Sequence, residues 1–273
     1  MPSTEPSDNL VTFERIATAF AFSLMRLISS RIVSITAEAS LLRLHDVATE
    51  DDEPRDPDSH VIDQLRAVSY EEFDAFRYIS RVSQLVYATT LLDTFLTDAT
   101  RFLLMLYPAS LGATQIGSVQ ALLEGASIAD LLTSAVNKKV RDISYSSFAE
   151  RLNLLRTTFG LNLPFDQADL DSLNHYSSIR NVIVHDQGLF ELTLDPSGKI
   201  LCQPKTCPRH PTPVTSRDFY SALIAYTSVF ASLVSAVSND VLKAPQDHSI
   251  HKLVLSLQGL RELAESRRAQ EAE

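Results

Sequence analysis

The chain has 273 residues, 45% of them hydrophobic, enough to bury a sizeable core as one large domain or one domain with extensions. Its net charge of −10 excludes a generic nucleic-acid coat, which needs broad positive potential, but leaves room for a local basic groove. Two cysteines, Cys202 and Cys207, supply no disulfide framework, so the expectation is a reduced, cytoplasmic protein.

No glycine occurs before Gly112, and Pro108 is the only proline between Pro57 and Pro164. Long stretches without either breaker favour helix, and runs that alternate like strands cluster only between Leu189 and Gln203. The expected class is all-α: an antiparallel helical bundle with a small β-hairpin inserted late in the chain.

The opening "MPSTEPSDNL" is acidic and polar and does not read as a secretory signal. From Asn9 to about Asp46 the spacing predicts one long helix or two in series. Phe13, Ile16, Phe20, Leu24, Leu27 and Ile32 form its apolar set, and Arg26 and Arg31 interrupt it. The acidic, proline-bearing "ATEDDEPRDPDSH" reads as a solvated linker. Ser69 to Tyr107 is the next long helix, turned inward through Leu85, Leu91, Leu92, Phe95, Phe102, Leu103 and Leu106 and stopped by Pro108.

A loop over 112–117 precedes helices predicted near 118–123 and 127–142. "SYSSFAERLNLLRTTFG" predicts another helix, closed by Gly160. The helix after Pro164 takes Asp166 as its cap and ends before Gly188. "LFELTLDPSGKILCQ" alternates on both sides of "DPSG", the pattern of a hairpin.

Residues 219–239 carry no charge and could span a bilayer by length. Leu223, Tyr226, Phe230, Leu233 and Val237 recur at helical spacing, with Ser221, Ala225, Ser228, Ser232 and Ser235 on the other side. That division favours a buried bundle helix with a small-residue face open to a neighbour. The tail from Lys252 reads as a surface helix that frays. The expected organisation is 1–58 for the first helix and linker, 59–240 for the bundle and 241–273 for the tail.

The chemistry concentrates in "SSIRNVIVHDQG", residues 177–188. On a helix, Asn181 and His185 stand four apart and share a face, and the long Arg180 side chain can reach around to join them. Leu173, Ile179, Val182 and Ile183 supply the inward side. An imidazole can move a proton near neutral pH, and a guanidinium can hold a phosphate as charge builds on its oxygens. The alternative is structural: Arg180 paired with an acid and His185 capping the helix.

The run "HYSSIRNVIVHDQGLF" resembles the signature of the HEPN superfamily (higher eukaryotes and prokaryotes nucleotide-binding domains). There an Arg, a polar residue, three further residues and a His close a bundle helix. "LLDTFLTDATRFLLMLYP" resembles the family's earlier long helix, and "SFAERLNLLRTTFGLNLP" the helix leading into the motif helix. The resemblance covers roughly residues 70–240. It implies a dimerising all-α bundle that is a metal-independent endoribonuclease, acting as a toxin or in phage defence beside an antitoxin or defence partner protein. By position it implies His185 as the proton-transfer residue, Arg180 as the phosphate clamp and Asn181 as the positioning group, with no metal and no cofactor. The alternative is a non-catalytic helical adaptor that binds a protein partner or a nucleotide.

Lys138, Lys139 and Arg141 in "NKKVRD" are either a solvated helix end or a phosphate-tracking patch beside the cleft. Cys202, Cys207 and His210 offer three soft ligands at a spacing that suits a proline-rich loop better than zinc. His248 and His251 read as surface residues. There is no Gly-rich phosphate loop and no nucleophile elbow.

Overall fold

The structure, a computed structural model, describes residues 6–50, 68–111, 125, 127–165, 167–185, 190–194, 200–204 and 214–270. The class is all-α. Helix α1 spans Pro6–Glu50, α2 Tyr70–Leu106, α3 Ile128–Ser144, α4 Phe148–Phe159, α5 Gln167–His185, α6 Ser216–Ala236 and α7 Ser249–Gln270. A 3₁₀ turn follows α2 at Pro108–Leu111, and a π turn continues α6 through Val237–Val241.

Local chemistry explains the boundaries. Pro6 opens α1, where a missing N–H costs nothing, and no glycine or proline interrupts the helix. Four helices begin with reciprocal capping boxes: Ser69 with Glu72, Ser127 with Asp130, Ser147 with Glu150, and Thr215 with Asp218. Tyr107 caps α2 by donating to the Leu103 carbonyl, and Pro108 cannot extend it. Gly160 ends α4 at φ 66°, a left-handed conformation that a side chain would strain.

The hydrogen bonds that Ser147 and Ser127 donate to Glu150 and Asp130 hold both carboxyls below their ordinary values of 4.5 and 3.8. A carboxyl whose folded pKa is depressed stabilises the fold above its unfolded value and loses that contribution as pH falls through the folded one. Ser147→Ala should therefore lower the urea midpoint at pH 7, and the gap from wild type should narrow under acid conditions without closing, because Ser147 also accepts from the Glu150 N–H at any pH. Thr215→Ala, at the entry to the central helix, should cost about 1 kcal/mol in the same measurement.

Contacts along α2 give the directions of its neighbours. Phe13 meets Phe102 at 5.3 Å and Phe20 meets Phe95 at 5.1 Å, while Ser34 bonds Ser80, so α1 runs against α2. Tyr226 shares a hydrogen bond with Thr89 and Phe230 packs on Phe95, so α6 runs along α2. Arg151 binds Asp93 and Thr97, and Phe159 lies against Tyr107, so α4 also runs along α2.

One core cluster draws buried residues from α1, α2, α4, α5, α6 and α7. It therefore crosses the sequence boundaries expected at 58 and 240. Leu104, Leu111, Ala135, Val136 and Val140 form a smaller cluster under α3.

Helix α6 is the centre of the bundle. Leu223, Tyr226, Phe230, Leu233 and Val237 are all buried, as their spacing predicted. Two helical stretches, Asp8–Asp46 and Ser216–Val241, are long and apolar enough to cross a bilayer; 72% of the apolar window of the second is buried against its neighbours.

Three expectations change. Ile32 faces outward, and Arg31 takes the inward position beside it. The tail does not fray within the described residues: α7 is continuous to Gln270 and buries Ile250, Leu257 and Ala264. It packs on the small-residue side of α6, where Ser228, Ser232 and Ser235 face Val254 and Leu257 across a cleft of about 340 Å³. That side of α6 is thus occupied by α7. The segments Phe190–Leu194 and Ile200–Pro204 pair antiparallel, Leu192 opposite Cys202. The turn expected between them, the loop and short helix expected at 112–123, and Asp166, Gly188, Cys207 and His210 lie outside the described residues.

Candidate functional site

Helix α5 is fixed by its inward face: Leu173, Tyr176, Ile179 and Ile183 are buried against α2, α4 and α6. This is the face expected from sequence, although the side chain of Val182 lies outside the described atoms. Tyr176 stands edge-on to Tyr226, ring centroids 6.4 Å apart, and Tyr226 shares a 2.7 Å hydrogen bond with Thr89. Burial raises the pKa of both phenols, so each stays protonated and serves as a fixed polar strut.

With those residues turned inward, Ser178 and Asn181 are exposed and Arg180 is half-buried. The Nη1 of Arg180 donates to Oδ1 of Asn181 at 3.0 Å. Among the described residues no carboxylate pairs with Arg180. None of its remaining donors is locked to a described acid. His185 is the last residue of α5, in its final turn. Its side chain lies outside the described atoms. The structure thus joins Arg180 to Asn181 and places the backbone of His185 one turn beyond.

Lys138, Lys139 and Arg141 are placed elsewhere. Lys138 and Arg141 are exposed, Lys139 half-buried, on the last turns of α3. Lys138 and Arg141 line a depression of about 520 Å³ with Asp130, Thr133, Ser134 and Asn137. Helix α2 serves as a ruler for the separation. Val136 and Val140 of α3 cluster with Leu104, whereas Tyr176 of α5 reaches Thr89 through Tyr226. From 89 to 104 is 15 residues, about 22 Å of helix. Helix α5 continues beyond Tyr176 away from that end, so within one chain the patch does not flank the motif.

Other helices bring charge to Tyr176, one turn before Arg180: Asp218 and Arg217, in the first turn of α6, and Arg268, near the end of α7, are within electrostatic reach of its phenol. Both arginines are exposed. Only folding brings the start of α6 and the end of α7 to Tyr176 of α5, so no local signal could have found them.

His248 does not stand free as a surface residue. Its Nδ1 accepts from the N–H of Ile250 at 3.3 Å, capping the start of α7, and its Nε2 lies 3.9 Å from Glu14. Among the described residues no three His, Cys, Asp or Glu side chains cluster as metal ligands. Comparison with family models, with characterised proteins and with solved structures gives no match.

Proposed function

We propose that the chain is a metal-independent endoribonuclease of the HEPN type, a cytoplasmic toxin or phage-defence effector whose active site is completed by a second copy of itself. The observation that carries this reading is the state of Arg180. It lies on the outer side of a bundle helix, steadied by Asn181 and free of any described acid partner. The structural alternative required an acid lock. Arg217 and Arg268, set against Asp218 at the Tyr176 phenol, are the cations that other helices bring nearest to this helix among the charges acting on that phenol, and a protein of net charge −10 needs such cations to hold RNA. The hairpin between α5 and α6 is part of the same proposal.

The reaction needs no group from outside the protein. One imidazole takes the proton of a ribose 2′-hydroxyl, and the oxygen attacks the adjacent phosphorus. As the O2′–P bond forms, the P–O5′ bond breaks, and a second imidazole returns a proton to the departing 5′-oxygen. Arg180 holds the non-bridging oxygens as their charge grows, with Asn181 fixing its guanidinium. One chain supplies one His185, so a two-fold pair of chains supplies both imidazoles and both clamps around one phosphate. Phe22 and Val33 on α1 and Phe76 and Ile79 on α2 are exposed, and such residues give the chain apolar surface for pairing.

RNA incubated with the protein in EDTA should yield fragments ending in 2′,3′-cyclic phosphate and 5′-hydroxyl. Intact RNA, or cleavage only with added divalent metal, overturns the mechanism. Sedimentation at micromolar concentration should give twice the monomer mass. A strict monomer that still cleaves would refute the two-copy site and leave the fold untouched. Co-purification with an antitoxin or defence protein would identify the partner.

A further inference from the structure

Beyond that reading, we propose a second site: a phosphate-binding seam between α1 and α2, built on Arg31, Arg77 and Arg81.

Arg31 is 2% exposed, inside the bundle. Its Nη2 donates to the Ser216 hydroxyl at 3.0 Å and its Nη1 to Oε1 of Glu38 at 3.5 Å. The same Oε1 accepts from Ser34 at 2.9 Å, and Oε2 lies 3.5 Å from Nε of Arg77. The Glu38 carboxylate is therefore fully engaged. Arg77 reaches one further acid, Asp74, at 3.6 Å on the solvent side.

Arg81 is different. One turn from Arg77 on the same face of α2, it makes no hydrogen bond and no ion pair among the described residues, and its Nε is buried. The Nε of Arg31 and the hydroxyl of Tyr78 are also buried without an acceptor.

Among the described residues the charges do not balance: three guanidiniums face Glu38 and the exposed Asp74, one positive charge more than the carboxylates, in a region that also leaves several described donors without acceptors. A buried donor without an acceptor forfeits its hydration and recovers nothing, and a cation in that position forfeits more. Burial, and then the neighbouring Arg31 and Arg77, push the Arg81 guanidinium below the usual arginine value, and the pull of Glu38 and Asp74 the other way does not offset them. The first turn of the 21-residue helix α6 adds positive potential from beside Ser216.

A ligand that suits this seam must be an anion that accepts from several donors at once. A carboxylate has two oxygens. A phosphate group has more, and its geometry matches the guanidinium fork. Ser80 and Gln84 line the same α2 face, where Gln84 Nε2 donates to Ser80 at 3.3 Å. A purely structural network would account for Arg31, Glu38 and Ser34, but it gives Arg81 nothing to do. The phosphate could be free or part of an RNA backbone, and these two sources are separable.

The test measures thermal unfolding of the full chain in chloride, in inorganic phosphate and with a short RNA lacking terminal phosphates, all at matched ionic strength. Phosphate or RNA at about one hundred times its Kd should raise the wild-type Tm by about 5 °C. Arg81→Gln should show none of that gain and, in chloride, should be at least as stable as wild type. Arg81→Lys, which keeps the charge and loses the fork, should retain part of it. A gain from phosphate alone assigns a small phosphate compound, and a gain from RNA alone assigns the polymer backbone. No gain from either beyond chloride, or an undiminished gain in Arg81→Gln, overturns the site. Because the proposed active site also takes RNA, the RNA arm is repeated on Arg180→Ala, which lacks its phosphate clamp. A gain that persists there and is lost in Arg81→Gln belongs to the seam, so the failure of the seam and that of the nuclease reading are distinguishable.

Discussion

His185→Ala should lower RNA cleavage by about 10²–10⁴-fold, the range that a positioned acid–base group contributes. The substitution falls on the last residue of α5, beyond Ile183, the last described residue of that helix that is buried, and the bundle should keep its unfolding midpoint. Arg180→Ala should cost about 10²–10³-fold by removing the charge clamp. Arg180→Lys should not restore activity, because an ammonium cannot make the paired donation of a guanidinium. Asn181→Ala should act through Arg180, since its Oδ1 is the described acceptor for that side chain. Its loss should be smaller and should appear in turnover. If one imidazole removes a proton while another delivers one, the rate should be bell-shaped in pH. Single-residue variants that cleave as fast as wild type would remove the chemical role of the motif.

Much of this arrangement could be read locally. The capping boxes need only residues three apart, and Pro108 and Gly160 act on their own backbone. The inward face of α6 follows from helical spacing alone. Arg180 and Asn181 were legible for the same reason, being neighbours on one helix. What periodicity mishandled was charge. In α1 it counted Ile32 as inward and Arg31 as an interruption, and the fold reverses them.

Arg31 can turn inward because Glu38, two turns on, shares its face and because Ser216, 185 residues away, accepts its other donor. Neither fact is visible in an apolar pattern. The tail misled in a similar way. Ile250, Leu257 and Ala264 are seven apart, a narrow stripe that weak overall hydropathy conceals, yet it suffices to seat α7 on the serines of α6. The charge around Tyr176 was hidden for a third reason. Arg217 and Arg268 lie on separate helices, and only folding brings them to that phenol.

Phe230→Ala should lower the free energy of unfolding by about 3–5 kcal/mol, the cost of a lost buried ring and the cavity it leaves. Phe230 is fully buried where three helices meet, with ring centroids 4.3 Å from Phe20 of α1 and 4.4 Å from Phe95 of α2. No single backbone shift can close a gap bounded by three helices, so the residual cavity should stay large. Against a total stability of about 5–15 kcal/mol, the loss would bring the chain close to its unfolding threshold. The urea midpoint should fall at unchanged slope, because the same surface is exposed on unfolding. Phe230→Leu, which fills much of the space, should cost about 1–2 kcal/mol.

The control is Phe22 on the opposite side of α1, 51% exposed with the Arg26 guanidinium 4.5 Å above its ring. In a free monomer Phe22→Ala should change stability by less than about 0.5 kcal/mol. If it instead costs as much as a core residue, and more as the protein is concentrated, then a second copy covers that face. The dimer on which the proposed chemistry depends would then be measured from its apolar side rather than from its active site.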